Sequence, residues 1–326
     1  MVDQKKICVI GAGRWGRNHI KTLYRMSSLA AVVESDKEVI RDLKKMYSDI
    51  LFFSSIQETF SYNFSGYVVA TPAPTHFNIS KMIIENGFSV LIEKPMTLNV
   101  PDAENLIDMA NQNNVNIMVG HVLLFHPAIQ KIKELINSGK IGELQYIYSN
   151  RLNLGQVRKE EDVFWSFAPH DISILQYITE SFPLEINTMG GAFLQQDIHD
   201  STITFLSYPN NIKAHIYLSW LHPFKEHRIV IIGSEGMLSF EDSLDNKPLK
   251  FYDKKFILNK NNFEKIDGEI EEIEYSTKSP LDEELIYFMN NLDTGFEVSD
   301  GKNGLEVIKI LSSSSKKLKD MHVAEK

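Results

Sequence analysis

Along the first third of the chain, apolar residues gather into short β-rich runs separated by stretches in which they recur at helical spacing. The strand candidates are residues 6–11, 29–34, 50–53, 67–70, 89–93 and 116–119, and the helical stretches lie near 16–25, 37–46, 75–86 and 102–113. Strand–helix alternation predicts a parallel, doubly wound sheet with helices on both faces. The strands are nearly all apolar, as strands buried on both faces should be.

After His121 the pattern changes. Residues 127–137 are amphipathic, with Ile129, Ile132, Leu135 and Ile136 on one side. A long strand candidate follows at 144–154, then a short helix from Pro169, then extended segments at 185–193, 201–208, 212–220 and 228–232. Strands in succession without helices between them favour a mainly antiparallel sheet. Residues 242–277 are polar and weakly patterned and carry only short strands in this reading. Two helices, near 281–291 and 301–317, end the pattern. The expectation is an α/β chain of two domains: a Rossmann domain over 1–122, and over 123–326 an α/β domain for substrate binding and oligomerisation.

Composition narrows the function. A net charge of −9 repels polyphosphate at long range and argues against nucleic acid as the principal partner. The single cysteine, Cys8, lies in an apolar run and reads as a buried thiol, so no disulfide framework or thiolate metal cluster is expected. No leader-like or membrane-spanning apolar run is evident, and the chain reads as cytoplasmic. The histidines show no close ligand spacing with paired carboxylates, and no metal is expected.

The most informative local motif is Gly11-Ala12-Gly13-Arg14-Trp15-Gly16, directly after the first strand and opening the first helix. Glycine at 11 permits the tight turn, glycine at 13 lets the backbone approach a pyrophosphate, and glycine at 16 lets helix and strand pack closely. The helix N-terminus then offers N–H groups and partial positive charge to the phosphates. Glu34, ending the second strand, has the spacing expected of a carboxylate that binds the adenosine ribose, and no arginine immediately follows it. This favours NAD over NADP, although Glu34 could also simply cap a turn. Ala70-Thr71-Pro72-Ala73-Pro74-Thr75-His76 ends the fourth strand and should line the cofactor crevice, with Thr71, Pro72 and His76 as contacts. On composition alone it could equally be a proline-rich turn.

The fifth strand ends in Glu93-Lys94-Pro95. A lysine at the carboxyl end of a buried strand, partly desolvated, loses proton affinity and becomes a proton-transfer group near neutral pH. Taken alone, a surface lysine at a strand end is the plainer reading. The second candidate is His170. Pro169 suits the first turn of a helix, which would put His170 at the positive end and keep its imidazole neutral. A neutral imidazole can take up a hydroxyl proton as hydride leaves the carbon. A lone histidine is as readily structural.

Read together, these segments resemble the glucose–fructose oxidoreductase / inositol dehydrogenase / MocA family over nearly the whole chain. The resemblance rests on the loop at 11–16, the segment 70–76, Glu93-Lys94-Pro95, the His126-Pro127 to Gly142 segment and His170 in its helix. Gly233-Ser234-Glu235-Gly236-Met237-Leu238 and the closing helix from Asp300-Gly301 also fit. It implies an N-terminal Rossmann domain, a C-terminal α/β domain with an open, mostly antiparallel sheet, and Lys94 and His170 as the catalytic pair. Glu93 and Lys94 would also lie against the cofactor. The chain departs from the family in two places. Ser166 stands where the family often has an aspartate four residues before the histidine, and Leu123 and Leu124 replace an arginine pair before the His-Pro step. Asp171 is adjacent to the histidine but lies about 100° away around a helix.

Arg151-Leu152-Asn153-Leu154-Gly155…Arg158, followed by Trp165 through Ser173, looks like the branch associated with UDP-N-acetylglucosamine 3-dehydrogenases. That likeness implies a nucleotide-sugar substrate and a partner aminotransferase that consumes the 3-keto product. Arg151 and Arg158 could hold a diphosphate, Asn153 could read a hydroxyl or acetamido group, and Trp165 and Asp171 would lie nearby; each is equally readable as an ordinary strand or loop position. The alternatives are a dehydrogenase of a free sugar or inositol, and a non-catalytic NAD- or sugar-binding regulator. A homodimer or homotetramer is expected if the uncovered face of the second sheet is apolar.

Overall fold

The computed structural model describes residues 5–324. The chain divides into two compact units, Met1–Phe125 with Ser279–Lys309, and His126–Lys278 with Ile310–Lys326.

In the first unit, β1 (Ile7–Ile10), β2 (Leu29–Val33), β3 (Leu51–Phe53), β4 (Gly66–Val69), β5 (Val90–Glu93) and β6 (Ile117–Gly120) alternate with four helices. These are α1 (Gly16–Arg25), α2 (Lys37–Met46), α3 (His76–Glu85) and α4 (Val100–Asn113). The strands form one sheet in the order β3-β2-β1-β4-β5-β6, every neighbouring pair parallel. This is the doubly wound sheet expected from the alternation. Every residue of β1, β4, β5 and β6 is buried, which is why these strands read as unbroken apolar runs. The strand order reverses between β1 and β4, so the loops after them, at Gly11 and Ala70, flank the point where such sheets bind ligands.

Residues 279–309 also belong to this unit, whereas the sequence reading kept them in the second domain. Their helix α7 (Pro280–Asn291) packs on α1 and on the 3-10 turn Val122–Phe125, burying Leu285 and Phe288. Farther on, Ser299 exchanges backbone and side-chain hydrogen bonds with Val119 on β6. An apolar helical stripe declares that it needs a core but not which core, so its return was hidden in the sequence.

The second unit opens with α5 (Pro127–Asn137), β7 (Leu144–Leu154) and α6 (Val163–Thr179). There follow β8 (Glu185–Gly191), β9 (Ser201–Ser207), β10 (Lys213–Ser219), β11 (Leu221–Gly233), β12 (Met237–Glu241), β13 (Leu249–Asn259) and β14 (Asn262–Glu272). The division between the units falls within the last helix, α8 (Gly301–Ala324). The eight strands run β14-β13-β12-β11-β7-β10-β9-β8, antiparallel except for the β7–β10 pair. Helix α6 lies on β7, β9 and β10. It buries Ile147 and Ser149 of β7, while the alternate residues Tyr146, Tyr148 and Asn150 take the other face.

Where short, weak strands were expected, β13 and β14 form a hairpin of two long strands. Its turn, Lys260-Asn261, has positive φ at both residues, the turn type whose twist suits a tight hairpin. Lysines and glutamates hide the alternation here, because most of both strands is exposed, including the apolar Phe256, Leu258, Phe263 and Ile270.

Candidate active site

At the carboxyl end of the first sheet, Gly11 adopts φ +91°, and a Cβ there would press on Thr71 and the Ala70 carbonyl. A Cβ on Gly16 would strike the Gly11 carbonyl, so helix and loop touch backbone to backbone. Gly13 differs: a Cβ there would meet nothing within 4 Å, and the residue is exposed beside exposed Arg14 and Trp15. The bare backbone at Gly13 thus faces open space, as a pyrophosphate cradle requires. Glu34 accepts a hydrogen bond from the Ala12 amide at 2.8 Å, and its other oxygen takes the Asp36 amide at 3.1 Å. The loop and the ribose-spaced carboxylate are thus locked together.

His76, expected among the cofactor contacts, is buried instead. Its ring spans the Thr71 and Pro95 carbonyls, 2.8 Å from each, so it ties the loop after β4 to the segment after β5. Thr71 and the exposed Pro72 remain at the rim, where Thr75 Oγ1 donates to Thr71 Oγ1 at 2.7 Å.

Glu93 also departs from its expected role as a cofactor contact. It is buried and directed into the protein: Oε1 accepts from the Trp15 indole and lies 2.6 Å from His19 Nε2, while Oε2 accepts the Lys94 amide at 3.2 Å. Gly120 leaves room for this carboxylate, which a Cβ at 120 would meet at 3.0 Å. One buried carboxylate therefore joins the glycine loop to the backbone of Lys94, which is itself only partly exposed.

In the second unit, His170 does not sit in a first turn. Asp162 caps α6 by accepting the Trp165 amide at 2.9 Å, so the helix begins at Val163 and Pro169 lies inside it. His170 is about two turns in, beyond the reach of the terminal dipole, and the expected dipole effect on it is withdrawn. The sequence signal that was overlooked is the aspartate before Val163-Phe164, a stronger helix start than a later proline. Ser166 is one turn before His170 on the same face, and its side chain is buried.

Asp171 and Arg151, both expected to touch substrate, are directed at each other. Arg151 donates to Asp171 from Nε at 2.8 Å and from Nη2 at 3.1 Å, and Ser149 Oγ adds a bond of 2.6 Å. Burial disfavours the guanidinium charge, but the Asp171 carboxylate outweighs it and holds the arginine's proton more tightly than usual. Trp165 is likewise engaged, its indole donating to Ser315 Oγ at 2.8 Å. Arg158 is exposed, 3.9 Å from Glu161, with its carbonyl accepting from Gln195.

Asn153 Oδ1 is buried with no hydrogen-bond partner among the described residues. The same is true of His227 Nε2, which the sequence reading did not single out. His227 pairs in register with Arg151, so both side chains share the sheet face on which α6 and Asp171 lie. Burial, reinforced by the Arg151 guanidinium, pushes the His227 imidazole down to about 4, leaving it neutral. Only the strand register, invisible in one sequence, brings it beside Arg151.

Comparison with known proteins identifies this architecture. Residues 5–121 match the NAD-binding Rossmann domain of the GFO/IDH/MocA oxidoreductases, and residues 129–239 match that family's C-terminal domain. The chain belongs to the GFO/IDH/MocA family. Among relatives, the UDP-N-acetylglucosamine 3-dehydrogenase of Acidithiobacillus ferrooxidans is 27% identical over 212 residues, 65% of this chain and 66% of that protein. Its solved structure superposes with a TM-score of 0.83 at 23% identity, covering 97% of this chain and 98% of that one. The scyllo-inositol 2-dehydrogenase (NAD(+)) of Bacillus subtilis is 24% identical over 262 residues, 73% of this chain and 74% of that protein. The WlbA dehydrogenase of Bordetella pertussis, solved with NADH and UDP-GlcNAcA, gives a TM-score of 0.77 at 17% identity, covering 97% of each chain. At such identities the structural likeness shows the fold. The chain spans 66%, 51% and 56% of the first three curated relatives that it matches, half to two thirds of their length.

Proposed function

We propose that this chain is an NAD-dependent dehydrogenase that oxidises the C3 hydroxyl of UDP-N-acetylglucosamine to the 3-keto sugar. The observation that carries the reading is Glu93: its carboxylate links the cofactor loop, through Trp15, to the backbone of Lys94. The relative with UDP-N-acetylglucosamine 3-dehydrogenase activity supports the substrate. Glu34 supports NAD, because a carboxylate fixed at the ribose position repels a 2′-phosphate.

Bound NAD would supply the hydride acceptor; Gly13 would let its pyrophosphate approach, and Glu34 would hold the ribose hydroxyls. Lys94 or His170 removes the C3 hydroxyl proton as the C–H bond breaks, so one hydride and one proton leave the sugar and a carbonyl forms. With Ser166 in place of an acid, no carboxylate shares the face of α6 one turn before His170, and proton transfer rests on the lysine–histidine pair. The ketone is consumed by an amino-transfer step that makes a 3-amino sugar.

A second copy of the chain is the proposed partner for the face of the second sheet opposite α6. That face carries half-buried Tyr146, Tyr148, His215 and Tyr217 with exposed Phe205 and Met189; the Tyr148 and His215 rings stack at 5.4 Å. Aromatic surface of this kind is what homo-oligomers bury.

The deciding experiment follows reduced nicotinamide while the chain is mixed with NAD and UDP-N-acetylglucosamine, with a carbonyl trap to draw the oxidation forward. A signal that needs both the UDP and acetamido groups, and is lost in Lys94→Ala and His170→Ala, is expected. Turnover of free sugars or inositol instead would move the substrate; NAD binding without turnover on any of them would favour a regulator.

A further inference from the structure

Glu284 is the least expected charge-bearing residue in the first unit. It lies on α7 with no solvent exposure, and neither of its carboxyl oxygens has a hydrogen-bond partner among the described residues. A fully buried glutamate without a partner is rare, because an isolated carboxylate is very costly to desolvate. The helix is held against α1, where Arg25 pairs with Asp282. The other side chain of α1 that bears on this region is His19, bound to Glu93 through Nε2 and with a buried, partnerless Nδ1. Arg17 donates from Nε to the Ala12 carbonyl of the glycine loop at 3.1 Å, and Lys21 is exposed.

The remaining neighbours complete the electrostatics. The 3-10 turn Val122–Phe125 carries no charge, but His121 before it is buried, its Nδ1 2.9 Å from Asn303 Oδ1, with an imidazole driven down to about 4 by burial. From β5 the Glu93 carboxylate acts on Glu284, with Lys94 beyond it. Burial first, and the Glu93 charge second, push Glu284 well above the usual carboxylate range. Two like charges in one buried pocket cannot both persist cheaply. Glu93 is the one with three donors around it.

We propose that Glu284 is a positioning residue for the cofactor loop and Lys94, acting in its neutral acid form. While neutral, it leaves the Glu93 carboxylate settled between Trp15, His19 and the Lys94 amide. On losing its proton, it repels that carboxylate, loosening the Trp15 anchor and the backbone of Lys94. Cofactor affinity then falls at high pH because of a residue that touches neither cofactor nor substrate. The inference rests on the reading of the glycine loop as the NAD site.

The test titrates the full chain with NADH by nicotinamide fluorescence across neutral to alkaline pH, beside Glu284→Gln, which cannot ionise. In the unchanged chain the dissociation constant should rise up to about tenfold per pH unit once Glu284 ionises, and the variant should lack that limb. Superimposable profiles would overturn the inference while leaving the NAD site standing. Failure of NADH to bind the unchanged chain would overturn both. Should the variant not fold, ¹³C NMR of the unchanged chain labelled at glutamate carboxyls decides independently. One carboxyl that titrates well above the ordinary carboxylate range is expected, and a full set titrating within that range would overturn the proposal.

Discussion

Arg151 and Asp171 form a two-pronged ion pair one residue from His170, between β7 and α6, with Asp171 buried and Arg151 nearly so. The pair shows that two residues expected to touch substrate are engaged with each other in the fold. It also fixes the rotation of α6: with Asp171 turned to the sheet, His170 is carried about 100° round the helix from it.

Breaking this pair from one side should destabilise the second unit strongly, since the survivor is a buried, uncompensated charge. Arg151→Ala or Asp171→Ala should each cost about 3 kcal/mol or more. Replacing both, as Arg151→Met with Asp171→Leu, should recover much of the loss. Chemical denaturation followed by tryptophan fluorescence measures this, and equal losses in single and double variants would contradict it.

Glu34 has two tasks that a pair of variants can separate. Its bond to the Ala12 amide holds the loop, and its charge excludes a 2′-phosphate. Glu34→Gln keeps an oxygen acceptor for Ala12 but no charge, so its NADP affinity should rise while NAD affinity drops by about tenfold or less. Glu34→Ala should lose NAD affinity further. Calorimetric titration with both dinucleotides distinguishes the tasks.

Much of the first unit was legible because parallel strands buried on both faces leave apolar runs, and the loop at Gly11–Gly16 obeys local backbone rules. Glu34, Lys94 and the bare Gly13 were readable for the same reason. What escaped depends on register or on long-range packing. His227 faces Arg151 only because β11 pairs with β7 at that offset. Glu93 points inward because Trp15 in the glycine loop and His19 on α1 await it, more than seventy residues earlier. The start of α6 was misread because Pro169 was given more weight than the Asp162 cap.

Acid should destabilise the first unit through His121. Its folded-state value of about 4 lies below the ordinary 6.5, the result of burial. Above pH 6.5 both folded and unfolded chains are neutral there, and its contribution is fully present. As pH falls from 6.5 towards 4, the unfolded chain takes up a proton that the folded chain refuses, and stability is lost. The loss is on the order of 3 kcal/mol for a group so deeply buried. His121→Asn should flatten this slope, and urea midpoints at several pH values would reveal it. His227, also lowered to about 4, acts in the same direction on the second unit.

The partnerless Asn153 Oδ1 and His227 Nε2 lie on adjacent strands, on the face that carries Asp171. Buried polar atoms are almost always satisfied, so a ligand that supplies the missing partners is expected to bind against these two orphans, and variants of each test it. An oxygen at 153 accepts from a hydroxyl or an amide N–H, and a neutral imidazole at 227 donates or accepts according to tautomer. Asn153→Ala and His227→Ala should therefore raise the KM for the sugar nucleotide by about tenfold each, while the NAD dissociation constant stays within about twofold. Because a site built to pair a polar group rejects analogues lacking it, removing the right residue should also erase discrimination between UDP-N-acetylglucosamine and UDP-glucose. Comparing kcat/KM for the two sugars in each variant assigns the acetamido-reading residue. If both variants keep the parental ratio and KM, the orphaned atoms belong to the fold and the substrate is read elsewhere.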